Sequence, residues 1–387
     1  MNIVDNILQC ISSKSSGRDF AFSSATEDVR DKFHASLIDF LKAPTYYERE
    51  HRCGEIYSLM LELHDKMPVL LPTIGRLNNE ELFGAYDYGD RRLHYCHQAY
   101  VFLLGLLIYH NFEPLRRAME KEMRETTIEL ECPVGSLFRY SGGDEYGEFL
   151  YRWRLTSLCH DMGTGIQLSE GKQDQIAHNL GRLPFQKPIS SIEQLRAFGD
   201  HDLLADIENA SGAVKLSKYI EYQSLNPYPR NVHHDHGMIA SLIFLRLMHE
   251  AYARHKDNPI STNIAGMKVF WGSEILSHSI IQIAKAISLH NIDNYPKAFS
   301  KFSATTRVFN MYLSPLAWLL KIADILQEWD KPKAGEEQKA MHINTRIGLD
   351  FTDSRITVKN FPNDKIKGTV HVIRSFTCPD NAISFEL

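Results

Sequence analysis

The sequence predicts a mainly α-helical protein that closes with a small antiparallel β appendage. From about residue 85 to residue 335, apolar residues recur at the three-to-four-residue spacing of helices with one buried face. From about residue 343 the spacing changes to two, which is typical of short strands with one buried face. We therefore expect a helical core with three or four short strands after it.

The composition is that of an ordinary globular protein, with 43% apolar and 24% charged residues. A chain of 387 residues is too long for one small core, so we expect one large domain with appendages or two domains. The net charge of -5 and the pI near 6.4 indicate no broad basic surface for nucleic acid.

The cysteines and apolar runs favour a cytoplasmic protein without membrane contact. The N-terminus lacks a basic stretch followed by an apolar one, so we expect no signal peptide. The longest apolar run, residues 99–109, is too short to span a bilayer and fits a buried helix. The cysteines are scattered without a CxxC pair, which indicates reduced thiols: Cys10, Cys53, Cys96, Cys132, Cys159 and Cys378.

Three parts are predicted along the chain. Residues 1–84 form a helical segment that packs on the core, residues 85–335 form the core, and residues 341–387 form the β appendage. Within the core, the polar stretch 167–230 is either a lid or specificity insert or a plain surface elaboration. The main predicted helices are residues 29–41, 56–63, 91–110, 113–131, 148–161, 238–254, 273–290 and 314–329.

His160 and Asp161 lie at the end of one predicted helix, before a break at Gly163 and Gly165. A neutral imidazole nitrogen beside a carboxylate oxygen can hold a divalent cation. A helix-end hydrogen bond is the alternative interpretation of the pair.

Asp324 is the second signal, because it falls in the middle of a nearly all-apolar helix that starts at Ser314 and Pro315. A buried carboxylate without a partner is costly, so Asp324 must meet a cation, an arginine or a metal.

Histidines open or close three further helices. Residues 233–236, His-His-Asp-His, precede an apolar helix, and His236 shares a face with Ala240 and Ile243. His290 continues the buried stripe of its own helix. His94 and His97 share a face three residues apart and could equally be structural.

In chain order, the set formed by His97, His160-Asp161, His236, His290 and Asp324 resembles the HD superfamily of metal-dependent phosphohydrolases. The resemblance covers about residues 85–330 and rests on four stretches: residues 94–105, 158–163, 234–237 and 321–326. It implies an HD-type helical bundle.

The resemblance also implies roles for individual residues. His97, His160, Asp161 and Asp324 would hold one divalent metal, and Asp161 would bridge to a second one held by His236 and His290. One or two ions are implied, and Mn, Fe, Zn, Ni, Co and Mg are not distinguished. Two cations about 3.5–4 Å apart can activate a water molecule and clamp phosphate oxygens.

Other polar residues are candidates for catalysis or substrate contact around such a centre. His233, His234 and Asp235 would take part in catalysis by orienting ligands or donating a proton. The candidates for substrate contact are Arg230, Arg154, Lys321 and His94, although each of the three basic residues could instead pair with a structural acid.

The sequence carries neither of two signatures that would identify the substrate. HD-type cyclic-dinucleotide phosphodiesterases usually carry a lysine three residues after the aspartate, where this chain has Thr164. Deoxynucleotide triphosphohydrolases usually have a loop rich in histidine and proline there, where this chain has residues 164–167, Thr-Gly-Ile-Gln.

We therefore expect a metal-activated water to cleave a phosphoester or phosphoanhydride in a small molecule, with a nucleotide as the leading substrate. Homo-oligomer formation is left open. The alternatives are a non-catalytic HD-fold nucleotide sensor or regulatory binding protein, and a helical scaffold whose histidines are core residues.

Overall fold

The computed structural model describes the chain in segments, and these are mostly helical with a three-stranded sheet near the C-terminus. The mainly α class and the small C-terminal sheet are therefore confirmed. The described residues are 3–12, 27–62, 73–74, 95–125, 145–168, 173–183, 236–257, 262–264, 267–269, 279–291, 311–312, 314–327, 348–361 and 382–386.

The predicted helices occur in the predicted order, but the helix predicted from residue 56 already begins at Tyr46. The helices Ile3–Ser12, Thr164–Leu168 and Gln173–Gly181 were not predicted individually. The described helices are α1 (Ile3–Ser12), α2 (Glu27–Lys42), α3 (Tyr46–Glu62), α4 (Tyr95–Asn111), α5 (Glu113–Glu125), α6 (Glu145–Cys159), α7 (Thr164–Leu168), α8 (Gln173–Gly181), α9 (His236–Asp257), α10 (Ile281–Leu289) and α11 (Pro315–Leu326). The strands are β1 (Thr262–Ile264), β2 (Met267–Val269), β3 (Gly348–Phe351), β4 (Ile356–Lys359) and β5 (Ile383–Glu386).

Helix α4 is the centre of the fold, as its apolar surface predicts. Its residues 96–109 are all buried, and α3, α6 and α11 pack around it. The indole of Trp153 on α6 fills the space beside Gly105 and donates its Nε1–H to the carbonyl of Phe102 at 2.9 Å. This contact brings the two helices that carry His97 and His160 close together.

The N-terminal helices share the same hydrophobic core as α4. Phe33 meets Phe102 edge-on at 6.4 Å between ring centroids, and Phe40 packs on Tyr100 at 4.7 Å. The described residues of the segment 1–84 therefore pack directly against the helix that bears His97.

Helix α10 lies against α6, α9 and α11. The hydroxyl of Ser241 on α9 donates to the carbonyl of Ala284 on α10 at 2.9 Å. A buried carboxylate, Glu148 on α6, accepts from Ser279 and from Arg152, each at 2.6 Å. Because buried charges need partners of this kind, the Glu148 cluster fixes the start of α10 on α6.

The C-terminal sheet has the order β3-β4-β5, and its pairing corrects one prediction. Strands β3 and β4 are antiparallel as expected, but β4 and β5 are parallel. A parallel pair needs a long connection rather than a tight turn, and the residues between β4 and β5 are numerous enough to provide it. The strand predicted around Val370 and Val372 lies outside the described residues.

Strands β1 and β2 form a short antiparallel pair that the sequence did not predict, since three-residue strands leave too little alternation to detect. Among the described residues, none of the helices has both the length and the apolar character needed to cross a membrane. The described cysteines, Cys10, Cys53, Cys96 and Cys159, are free thiols.

The contact between Gly105 and Trp153 gives a direct test of the fold. A Cβ at position 105 would lie 1.9 Å from Cζ2 of Trp153, so Gly105→Ala must displace a buried indole. We expect the free energy of unfolding to fall by about 1–3 kcal/mol, the usual cost of overpacking, as measured by denaturant titration.

Gly54→Ala is the matched control, because Gly54 also lies inside a helix and, in the described part of the chain, the atom nearest to its added Cβ is Tyr95 Oη at 4.0 Å. It should stabilise the protein by roughly 0.5–1 kcal/mol through helix propensity. Equal effects of the two substitutions would contradict the described packing.

Candidate metal centre

Six candidate ligands from five helices lie at one point of the core. His97 comes from α4, His160 and Asp161 follow the last residue of α6, and His236 is the first residue of α9. His290 follows α10, and Asp324 lies in the last turn of α11. Because four of the six lie at helix ends, the centre depends on where helices stop as much as on how they pack.

Among the residues that the structure describes, two groups of side chains are close enough to hold a metal ion, each with its ligand atoms within 4.8 Å of one another. The first group is His97, His160 and Asp324, and the second is His160, Asp161 and His290. Within the first, Nε2 of His97 lies 2.8 Å from Oδ1 of Asp324. The structure therefore brings His160 and Asp324 together, although 163 residues separate them in the sequence.

Asp161 lies between two pairs of imidazoles. Its Oδ2 is 3.3 Å from Nε2 of His160 and 3.7 Å from Nε2 of His97. Its Oδ1 is 3.4 Å from Nε2 of His236 and 3.9 Å from Nε2 of His290. Each carboxylate oxygen thus faces a different pair of ring nitrogens, which is the arrangement a bridging ligand requires.

Backbone carbonyls orient two of the imidazoles. Nδ1 of His160 donates to the carbonyl of Ser157 at 2.9 Å, and Nδ1 of His290 donates to the carbonyl of Ile287 at 2.6 Å. A carbonyl can only accept, so Nδ1 carries the proton in both rings. When the ring is neutral, the lone pair of Nε2 then points into the centre, as metal ligation demands.

His160 supplies an observation that favours a cation. Its Nε2 is buried and, within the described part of the chain, forms no hydrogen bond of acceptable geometry, although Asp161 Oδ2 is near. A nitrogen lone pair facing a carboxylate oxygen in a buried site is unfavourable without positive charge between them. The donor set of imidazoles and carboxylates therefore fits a divalent metal ion.

His290 is held in its neutral form. Burial, together with the neighbouring His236 and His160, lowers the pKa of His290 well below its usual value, and Asp324 and Asp161 oppose this only in part. A neutral imidazole is the form that binds metals.

Two glycines allow the start of α9 to approach the other helices. A Cβ on Gly163, just after the His-Asp pair, would lie 2.1 Å from the carbonyl oxygen of His236. A Cβ on Gly237 would lie 2.8 Å from Cε1 of His290 and 2.8 Å from the carbonyl oxygen of Ile287. Any larger residue at either position would separate His236 from Asp161 or His290.

The structure changes the expectation for Asp324. The sequence placed it in the middle of a helix extending to Trp329, but α11 ends at Leu326, so Asp324 lies in the last turn with its side chain 21% exposed. Its carboxylate lies beside the imidazole of His97. A carboxylate in an apolar helix needs a polar partner of this kind.

Two of the proposed substrate contacts, Arg154 and Lys321, belong to the described residues, and both are buried. Arg154 is buried, its Nε donates to the carbonyl of Leu150 on its own helix at 3.1 Å, and burial lowers its pKa to about 9. Lys321 is buried one turn before Asp324. The other candidates, His94, Arg230, His233, His234 and Asp235, lie outside the described residues.

Sequence reasoning missed two contributors, Asn291 and Gly237. Asn291 directly follows His290 and lies 3.2 Å from Nδ1 of His236. Its proximity to His290 in the sequence was the only available signal, since the contact with His236 joins residues 55 apart. No feature of the sequence marked Gly237 as part of the centre.

Comparison with protein-family models, with curated proteins and with solved structures yields no match to this chain.

The close approach at Gly163 generates a prediction for the centre. Gly163→Ala should push the start of α9 away, because the new methyl group would overlap the carbonyl of His236. We expect weaker binding of divalent metal by about 10–100-fold, the range found when groups that support metal ligands are lost, as measured by calorimetric titration.

Gly181→Ala is the control, since an added Cβ there meets no described atom within 4 Å. Wild-type metal affinity in Gly163→Ala would show that α9 does not need this approach.

The lowered pKa of His290 predicts a pH dependence of stability in chelator-treated protein. Below about pH 6.5 the unfolded chain takes up a proton that the folded state excludes, so the free energy of unfolding falls as pH falls. The slope from this one group reaches about 1.4 kcal/mol per pH unit. Denaturant titrations from pH 7.5 to 5 measure it.

His290→Gln removes the group and should flatten the profile, whereas His51→Gln, at an exposed position, should leave it unchanged. The same slope in all three proteins would exclude His290 as its source.

Proposed function

We propose that the chain is a metal-dependent phosphohydrolase with an HD-type helical core, in which a metal-activated water cleaves a phosphoester or phosphoanhydride. The observation that carries the proposal is the position of Asp161, with one oxygen facing His160 and His97 and the other facing His236 and His290. A carboxylate in this position can be shared by two ions.

The six candidate ligands can be assigned to two ions. His97, His160, Asp161 and Asp324 would hold one, and Asp161, His236 and His290 the other. Such a mixed set of nitrogen and oxygen donors suits Mn, Fe, Zn, Ni or Co, whereas Mg prefers oxygen ligands. When bound, ions of this kind lower the pKa of a water molecule and neutralise the charge of a phosphoryl group.

The rest of the chain would orient these ligands and limit the access of solvent to the centre. The side chains of His97, His160 and His290 are almost fully buried, whereas those of His236 and Asp324 are 19% and 21% exposed. The centre therefore opens towards the start of α9 and the end of α11. A phosphorylated substrate, for which we favour a nucleotide, would approach from this side.

The residues just before His236 are the proposed partners of that substrate. His233, His234 and Asp235 directly precede His236 in the sequence, and His236 is the first residue of α9. An imidazole there can donate a proton to a leaving oxygen. Arg230 is a further candidate for phosphate contact, because a guanidinium binds phosphate with two parallel hydrogen bonds.

Replacement of the shared carboxylate tests the proposal. Asp161→Ala should lose bound metal and hydrolysis together, each by more than about 100-fold, because loss of a mere supporting partner already costs 10–100-fold. Elemental analysis of purified protein gives the metal content. A phosphate-release screen over nucleotides with several divalent metals gives the activity.

Asp353→Ala, at an exposed carboxylate in the β3–β4 turn, is the matched control and should behave as wild type. Hydrolysis that survives in Asp161→Ala would exclude this centre. Metal bound by the wild type without hydrolysis of any nucleotide tested would favour a nucleotide-binding regulatory protein instead.

A further inference from the structure

The hydrogen bonds around His236 define which of its nitrogens carries the proton. Nε2 of His236 lies 3.2 Å from Nε2 of His290 and 3.4 Å from Oδ1 of Asp161. His290 donates through Nδ1 to Ile287, so its Nε2 is an acceptor, and a carboxylate oxygen is an acceptor too. His236 must therefore present Nε2–H to them.

Asn291 matches this tautomer. Its Nδ2 lies 3.2 Å from Nδ1 of His236, and an amide nitrogen can only donate. The result is one consistent chain of donors, from Asn291 to His236, from His236 to His290, and from His290 to the carbonyl of Ile287.

This tautomer cannot bind a metal through Nε2, because a proton occupies the lone pair. Ligation needs the proton on Nδ1, and Nδ1–H then needs an acceptor in place of the amide nitrogen. A rotation of the Asn291 carboxamide by half a turn replaces Nδ2 with Oδ1 at nearly the same position. Asn291 is 5% exposed, so a mismatch between amide and imidazole is not relieved by water.

We propose that Asn291 is a positioning residue that selects the tautomer of His236 and so decides whether His236 can serve as a metal ligand. The inference rests on the metal centre of the proposed function. His160 and His290 differ from His236, because backbone carbonyls hold them permanently in the ligating tautomer. The ion that uses His236 therefore binds only with reversal of a side-chain amide.

The first metal group provides an internal reference. His97, His160 and Asp324 do not include His236, so an ion held there does not depend on Asn291. Substitutions of Asn291 should therefore change the affinity for one ion and leave that for the other unchanged.

Two variants separate the effects of the amide. Asn291→Asp offers only acceptors, so it should hold the proton on Nδ1 of His236 before any metal is added. Asn291→Leu offers neither donor nor acceptor, and it should weaken the ion that uses His236 by about 10–100-fold. Zn²⁺ titration by calorimetry measures both affinities.

The tautomer itself is read without metal, in chelator-treated protein labelled with ¹⁵N-histidine. Two-bond ¹H–¹⁵N spectra distinguish the tautomers, and His236→Gln identifies the signals of His236. We expect the proton on Nε2 in the wild type and on Nδ1 in Asn291→Asp.

A proton already on Nδ1 in the metal-free wild type would overturn the inference, as would wild-type affinity for both ions in Asn291→Leu. The two proposals fail separately. If the tautomers and both affinities change as expected but no phosphorylated substrate is hydrolysed, only the proposed function is lost.

Discussion

The carboxylate of Asp161 is the constraint around which the described core is arranged. It lies almost buried among imidazoles, and a buried negative charge is tolerated only where donors or cations surround it closely. Four histidines from different helices surround it, and Asp324 adds a second carboxylate beside His97. Two carboxylates and four imidazoles form a donor set that could hold a cation.

Helix ends supply most of the geometry. At the ends of α6 and α10, a histidine just past the helix donates back to the carbonyl three residues earlier, which would otherwise lack an intrahelical partner. The same hydrogen bond satisfies the backbone and turns Nε2 towards Asp161. His236 enters from the opposite end of a helix, and its Nδ1 lies beside the side-chain amide of Asn291 instead of a carbonyl of its own helix.

The sequence predicts the helices and most of the cluster for a simple reason. Apolar spacing marks each buried helix, and histidine or aspartate is conspicuous at the end of an apolar stripe, as with His160 and His290. The end of α11 was misjudged, because no glycine or proline directly follows Leu326 to mark the stop. The direction of β5 was missed because period-two spacing records which face is buried and carries no information on strand polarity.

The contact between Asn6 and Leu349 has a consequence for folding. The side-chain amide of Asn6 donates to the backbone of β3 at 3.1 Å, across 343 positions of sequence. Bringing such distant segments together costs configurational entropy that grows with the length of the enclosed loop. We therefore expect the sheet to dock on α1 late in folding, after α4 and its neighbours have already shortened the effective distance between the two.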